Sequence, residues 1–452
     1  MCSSDLLAKA RIGLLKKSRN VSALIKAVPE DLADDPGLAF ARFEWRVAKK
    51  SADDAIALML ERSTSALALG KPEVWTDRRR SYARLMMQDG KPEIAYQLAS
   101  RHFLTEGEEY ADLEWLSGFI ALTDLDDPKL ALVHFCAFRA AVDTPISLGR
   151  AGYWEGRAHE ALGQLEQAQL AYAFGGEYQT SFYGQLAAEK AGMAMDPALR
   201  GRETYPDFRE SQYAQGSVMQ AALLFQKAGK PLLFTRFTRH LAEILNTQER
   251  GSLAQLALDL DEPFAALYMA KYAADSGVVP MRPYFPITEI VDGELPVSEE
   301  LTLTIARRES EFYPFSVSPA GARGLMQLMT RTGKAMAKKL KVRYETDRLL
   351  NDPAYNARLG SAYLAVLVEE FDGYYPFVAV GYNAGPSRAR KWVRLFGDPK
   401  RSPEDAVDWI EHIPFRETRN YVMRVMESLA VYRARLSGEI SPLRLSQELV
   451  GR

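Results

Sequence analysis

The sequence predicts an all-α chain: helical hairpins through 1–277, then a second helical domain after a proline-rich break. Three observations carry that reading. From about residue 8 to 275 the chain is rich in Ala, Leu, Glu and Arg at helical spacing, with few β-branched runs. No alternating strand pattern longer than a few residues occurs anywhere. A turn-plus-helix unit also recurs. Gly90-Lys91-Pro92-Glu93-Ile94-Ala95 returns loosely as Asp127-Pro128-Lys129-Leu130-Ala131 and again as Gly163-Gln164-Leu165-Glu166-Gln167-Ala168, with the alanines 36 and 37 residues apart.

Each of those turns precedes a helix with an aromatic after the alanine (Tyr96, Phe135, Tyr172). The helix before each carries Tyr82, Trp115 with Gly118, or Trp154 with Gly156. Small residues let paired helices approach and aromatics fill the space between pairs, which is how tetratricopeptide-type hairpins stack. Taken alone these aromatics are core; a solenoid of them also presents a concave surface of the kind used for binding.

The pattern breaks at GVVPMRPYFPITEIVDGELP, 277–296, which holds four prolines. Proline stops helix continuation, so 278–297 is expected as a linker. Ser298 can cap the next helix, with Glu299 and Glu300 in its first turn. That helix opens the stretch TIARRESEFYPFSVSPAGARGLMQ, 304–327, which ends as a glycine-punctuated turn. Steps of four place Leu301, Ile305 and Glu309 on one face, with Phe312 joining them. Glu311 falls with Thr304, Arg307 and Arg308 on what reads as the wetter side.

A carboxyl held against apolar surface is costly to ionise, so its pKa rises and it becomes a proton donor near neutrality. The plainer alternative for Glu309 is a helix-end glutamate paired with Arg307 or Arg308. The helix is expected to stop at Tyr313-Pro314, 318–324 to form a glycine-bearing loop, and helix to resume around Leu325-Met326-Gln327. Beyond it, 330–340 reads as a short basic helix, 353–371 as a longer one opened by Asp352-Pro353, and Phe377 to Tyr382 as the start of another, interrupted by Asn383-Ala384-Gly385-Pro386. A last long helix is expected over 417–437.

Composition bounds the chemistry. The 452 residues are 47% hydrophobic and 26% charged, enough for two or three domains with proper cores, and nothing in the net charge of −2 argues for nucleic acid or an anionic membrane surface, so neither is expected as a partner. No apolar run reaches the roughly eighteen residues of a membrane span. Two cysteines, Cys2 and Cys136, and five scattered histidines give no metal-ligand spacing, so no metal or cofactor is expected. The start, MCSSDLLAKARIGLLKK, lacks an apolar signal core and a cleavage site. Cys2 to Leu6 reads like a translated adapter, so the true start, with any signal peptide, is expected upstream.

Glycosidic cleavage commonly uses two carboxyls, and here only one is plain. Glu311 lies on the other side of its helix, Asp347 and Asp352 read as turn or cap residues, and Glu417 sits in a first helical turn where it has a structural use.

Four blocks in order, ARRES, SPAGARGLMQ, GYNAGP (381–386) and IPFRETRNYV (413–422), resemble the lysozyme-like domain of soluble lytic transglycosylases. YWEGRAHEALG (153–163) and SFYGQLAA (181–188) resemble the α-superhelix that precedes it in that family. The resemblance implies a helical superhelix over 1–277, the linker, a lysozyme-like catalytic domain over 298–440 and a tail over 441–452. It also implies a lyase that cuts the β-1,4 bond between N-acetylmuramic acid and N-acetylglucosamine without water. Glu309 would first protonate the glycosidic oxygen, then act as base for the muramyl C6 hydroxyl, giving a 1,6-anhydro product, with the substrate's acetamido group stabilising positive charge.

Ser318, Gln327, Met329, Tyr382, Asn383 and Glu417 occupy substrate-contact positions by the same resemblance. On their own terms Gln327 would be a polar cap, Met329 core, and Asn383 a turn residue, while Tyr382 could bond Glu309 or the glycan. Arg323 departs from the small residue many relatives carry. The partner implied is the peptidoglycan glycan strand in the periplasm, with the helical region offering a surface to cell-wall synthesis proteins. Two other readings stay open: a hydrolytic muramidase on the same fold, and a helical-repeat scaffold with an inactive domain.

Overall fold

The computed structural model describes residues 3–274 and 278–452. Cys2 and Gly277 lie outside them. Among the described residues the chain is helical, with isolated β-bridges confined to 317–328. Two compact units are formed, one of 1–142 with 154–168, the other of 143–153 with 169–452.

The first unit contains the repeat. Ala95, Ala131 and Ala168 fall at matching points of the helices Pro92–Ser100, Pro128–Ala140 and Leu165–Gly176, and all three are buried. Pro92 and Pro128 sit at the first helical position, where a missing N–H costs nothing. Gly118 admits Phe135: a Cβ there would stand 2.6 Å from the Phe135 ring. Trp115, Phe119, Phe135 and Trp154 then fill one aromatic core, with ring centroids 5.2–5.8 Å apart.

In the second unit, four further helices (Ser217–Lys227, Pro231–Ala242, Thr247–Asp259 and Pro263–Ala274) share a core built on Phe234, Leu253 and Met269. The proline-rich 278–297 stretch, expected as a linker, is packed rather than tethered. Met281, Phe285 and Val291 are buried, and Arg307 stacks on the Tyr284 and Phe285 rings at 4.7 and 4.2 Å while its Nε donates to the Tyr284 carbonyl. The residues at 441–452 are likewise fixed. Leu445 and Leu449 are buried, and Glu189 accepts from the Ser446 amide and hydroxyl.

The helix that carries Glu309 runs Glu299–Ser310. Ser298 holds its N-cap position in extended backbone, but its side chain makes no cap bond. Leu301, Ile305 and Phe312 are buried as expected. Thr304 and Arg307, read from sequence as wet, are buried too. From Leu301 to Arg307 the helix is buried on every side: Arg307 meets the rings and carbonyl just named, while Thr304 Oγ1 is buried without a hydrogen-bond partner.

Candidate active site

What separates Glu309 from Glu311 is where the helix ends. It stops at Ser310, three residues before the expected Tyr313, because Glu311 and Phe312 both take left-handed backbone, with φ of 55° and 66°. Such conformations disfavour side chains with a Cβ and persist only where the surroundings hold them. Here Phe312 is sunk in the core at 2% exposure and Glu311 pairs with Lys271. The reversal sends Glu311 away and leaves Glu309 on the last helical turn, half-buried.

Burial pushes the Glu309 carboxyl up to about 7. The Tyr421 hydroxyl, which donates to Glu309 Oε1 at 2.7 Å, and the Arg308 charge pull it down, while the Glu417 charge adds to the rise. Arg308 also lies over the Tyr421 ring, 5.6 Å from its centroid. Burial and the charge of Glu309 keep the Tyr421 and Tyr382 phenols well above their usual range, so both remain hydroxyl donors.

The loop that faces this acid does not restart a helix at 325–327. Helix resumes only at Thr330, because Gly324 and Gln327 are left-handed (φ 78° and 44°) and Arg323 and Leu328 close the turn with reciprocal backbone bonds of 3.0 Å. Asn356, fully buried on the helix Pro353–Glu370, ties it down. Its Oδ1 accepts from the Met326 amide at 2.9 Å, and its Nδ2 donates to the Arg323 and Leu349 carbonyls. A Cβ on Gly324 would stand 2.0 Å from the Leu349 oxygen, so only glycine allows this closeness.

The sequence-derived residues divide on these contacts. Gln327 donates its amide to the Ser316 and Gly324 carbonyls at 3.0 and 2.8 Å, bracing its own turn. Ser318 Oγ accepts from the Ala322 amide inside the same loop. Met329 precedes Thr330–Lys339 and is exposed by 45%, not core. Tyr382, on Tyr375–Ala384, donates to the Met326 carbonyl at 2.7 Å and so holds the loop instead of Glu309. Asn383 accepts from Thr418 Oγ1 at 2.6 Å and reaches Glu417 Oε1 at 3.5 Å, joining its turn to the helix Arg416–Ser437. Glu417 is exposed. Asp352 is a cap, accepting from the Tyr355 amide and pairing with Arg348. Tyr421 and Asn356 were not singled out from sequence for these roles. Tyr421 stands inside IPFRETRNYV, four residues after Glu417 and so on the same helical face.

One acid near neutrality, a single hydroxyl donor on it, and a rigid loop alongside suit proton transfer to and from a bound substrate. Among the described residues no group of three or more His, Cys, Asp or Glu is placed to hold a metal ion.

A profile of the family "Transglycosylase SLT domain" matches 293–404. The match covers about a quarter of the chain and marks an SLT domain at 293–404. The soluble lytic murein transglycosylase of Escherichia coli strain K12 is 37% identical over 138 residues, covering 30% of this chain and 21% of that protein. A putative soluble lytic murein transglycosylase of Haemophilus influenzae is 36% identical over 163 residues, 35% of this chain and 26% of its own. The aligned part thus spans about a fifth to a quarter of these relatives.

Solved structures match the fold of the chain along nearly its whole length. An inactive Glu-to-Gln variant of lytic transglycosylase Slt from Pseudomonas aeruginosa superposes with a TM-score of 0.66 at 21% identity, covering 98% of this chain and 74% of the other. A 70-kDa soluble lytic transglycosylase in complex with bulgecin A gives 0.67 at 20% identity, with the same coverages. The expected all-α class, a helical superhelix with a lysozyme-like domain, is the class of these structures.

Proposed function

We propose that this chain is a lytic transglycosylase acting on peptidoglycan, with Glu309 as acid and then base. The observation that carries the reading is Glu309 itself: a half-buried carboxyl raised to about 7, with the Tyr421 hydroxyl on one oxygen. A group with that pKa is populated in both protonation states near neutrality, as a residue that donates and then accepts a proton must be. Glu309 gives its proton to the glycosidic oxygen as the bond to muramyl C1 breaks. It then takes the proton of the C6 hydroxyl as O6 closes on C1, forming the 1,6-anhydro ring, while the substrate's acetamido group supports the positive charge. Glu311, turned to Lys271, has no part in this.

Gln327, Ser318 and Met329 belong to a loop that would lie along the sugar, with Tyr382, Asn383 and Glu417 closing the other side. The helical region 1–277 would serve as scaffold for the strand, and the periplasm is the compartment where that substrate lies. No described helix is long and apolar enough to cross a membrane.

A hydrolytic muramidase is the second reading, and Glu417 favours it, because its charge acts on Glu309 and a second carboxylate is what hydrolysis needs. Digestion of purified peptidoglycan separates the two. Products lighter by one water and resistant to borohydride establish transglycosylation; reducible products establish hydrolysis. A folded protein that releases neither sinks both and leaves the scaffold.

A further inference from the structure

The hydroxyl on Glu309 comes from the second turn of Arg416–Ser437, and that turn is held by a buried carboxylate outside the matched 293–404. Glu411 is 0% exposed, in the last turn of Pro403–His412. Its Oε2 faces Arg419 Nε at 3.3 Å. Arg419 in turn donates from Nη1 to the Ile413 carbonyl at 2.7 Å, and its amide donates to the Phe415 carbonyl at 2.9 Å. The corner 413–415 and the first turn of the helix are thereby braced by one ion pair. Two residues further on is Tyr421.

The other oxygen of Glu411 is held by residues far away in sequence. Arg150 Nη2 pairs with Oε1 at 2.6 Å, and the Tyr183 hydroxyl donates to the same atom. Both belong to the second unit, Arg150 to its piece 143–153 and Tyr183 to the piece that begins at 169. Their placement follows from close helix packing. Gly149 lets Pro145–Ala161 approach Phe182–Lys190 so nearly that a Cβ would stand 2.6 Å from Ser181 Oγ. Tyr183 is buried between Tyr153 and Phe182, at centroid distances of 5.3 and 5.1 Å. A carboxylate this deep is tolerable only with its charge met, and two arginines and a phenol meet it.

We propose that Glu411, gripped by Arg150 and Tyr183, is a positioning residue that sets the start of Arg416–Ser437 and through it the Tyr421 hydroxyl on Glu309. Arg150 and Tyr183 thus tune the acid that the SLT domain carries. Loosening the grip moves Tyr421 without touching Glu309, which among the described residues faces the charged and titratable groups of Arg308, Glu417, Tyr382 and Tyr421. The proposal rests on Glu309 being the acid of the reaction.

The test uses the full chain with Tyr183→Phe, Arg150→Met and Arg150→Lys. Tyr183→Phe deletes one oxygen and keeps the ring packing, so folding is preserved. Glu309 is titrated directly by carbon NMR in glutamate-labelled protein, its signal assigned by loss in Glu309→Gln, and peptidoglycan cleavage is followed in parallel. Tyr183→Phe and Arg150→Met should raise the Glu309 midpoint toward that of Tyr421→Phe and lower kcat roughly tenfold or more with KM little changed. Arg150→Lys, which keeps the charge, should restore much of both. Leu253→Ala, a core truncation elsewhere in the unit, should lower stability and leave the midpoint in place. An unmoved midpoint in folded Tyr183→Phe and Arg150→Met overturns the proposal. A midpoint that moves in a protein that cleaves nothing keeps the positioning and removes the assigned function.

Discussion

Tyr421 donates its hydroxyl to Glu309 Oε1 at 2.7 Å across 112 residues of chain, and this bond opposes the burial that raises the acid. Tyr421→Phe removes the donor and keeps the ring. With the carboxylate less supported, the Glu309 midpoint moves above about 7 and the base form becomes scarcer at neutral pH. The pH–rate profile of cleavage should shift to higher pH, with kcat at pH 7 down about tenfold. A profile that stays in place would mean that the bond does not tune the acid.

Glu309→Gln should lower cleavage by about 10²–10⁴-fold and stabilise the fold at alkaline pH. The folded carboxyl sits near 7 against an ordinary value of 4.5, so the folded state holds its proton longer than the unfolded one. Stability therefore falls as pH rises from 4.5 through 7, by an amount on the order of 3 kcal/mol at most. The Gln variant escapes this, so its Tm should match the parent at pH 4 and exceed it at pH 8. Equal melting at both would show that the carboxyl is better solvated than its burial indicates. Substantial residual cleavage would mean that another residue is the acid.

In the first unit Glu114 behaves oppositely. Burial pushes it up, but the bonds from His102 at 2.9 Å and His134 at 2.7 Å outweigh that and hold it at about 2. Its contribution is complete above 4.5 and is lost as pH falls toward 2, on the order of 3 kcal/mol. Glu114→Gln should destabilise the unit at pH 6 and flatten the acid side of its stability curve. Denaturant unfolding at pH 6 and pH 3 checks this, and parallel curves for the two proteins would sink it.

Asn356→Ala strips three bonds from the loop at once, leaving the Met326 amide and two carbonyls without that partner. The expected loss is about 3 kcal/mol in urea unfolding. Cleavage should fall further than stability explains, because Gln327 is braced by the same turn. Full activity in the folded variant would show that the loop keeps its shape without Asn356.

Some of this was legible in the sequence because it is local. The hairpin repeat depends on alanine, glycine and aromatic spacing, and Ala95, Ala131 and Ala168 landed on equivalent helical positions. The placement of Glu309 on the helix was legible because Leu301 and Ile305 precede it at helical steps. The loop was not. The left-handed Glu311, Phe312 and Gln327 carry no local signal, since non-glycine residues adopt that backbone only when the tertiary structure holds them there. Arg307 misled for a related reason: a polar residue reads as solvated until the aromatic rings and carbonyl that receive it are known. Tyr382 and Tyr421 both stand in motifs beside the acid, and spacing alone does not decide which of two tyrosines reaches it.

The first unit repeats one placement, a buried alanine at a matching point of a helix, seen at Ala95, Ala131 and Ala168. The scaffold's size is therefore quantised. Adding or removing a whole hairpin, a step of about 36 residues, reproduces a junction the chain already makes, whereas half a step leaves an unmatched helix. Proteins of this architecture are free to differ in length by hairpins while the helix that carries Glu309 stays the same.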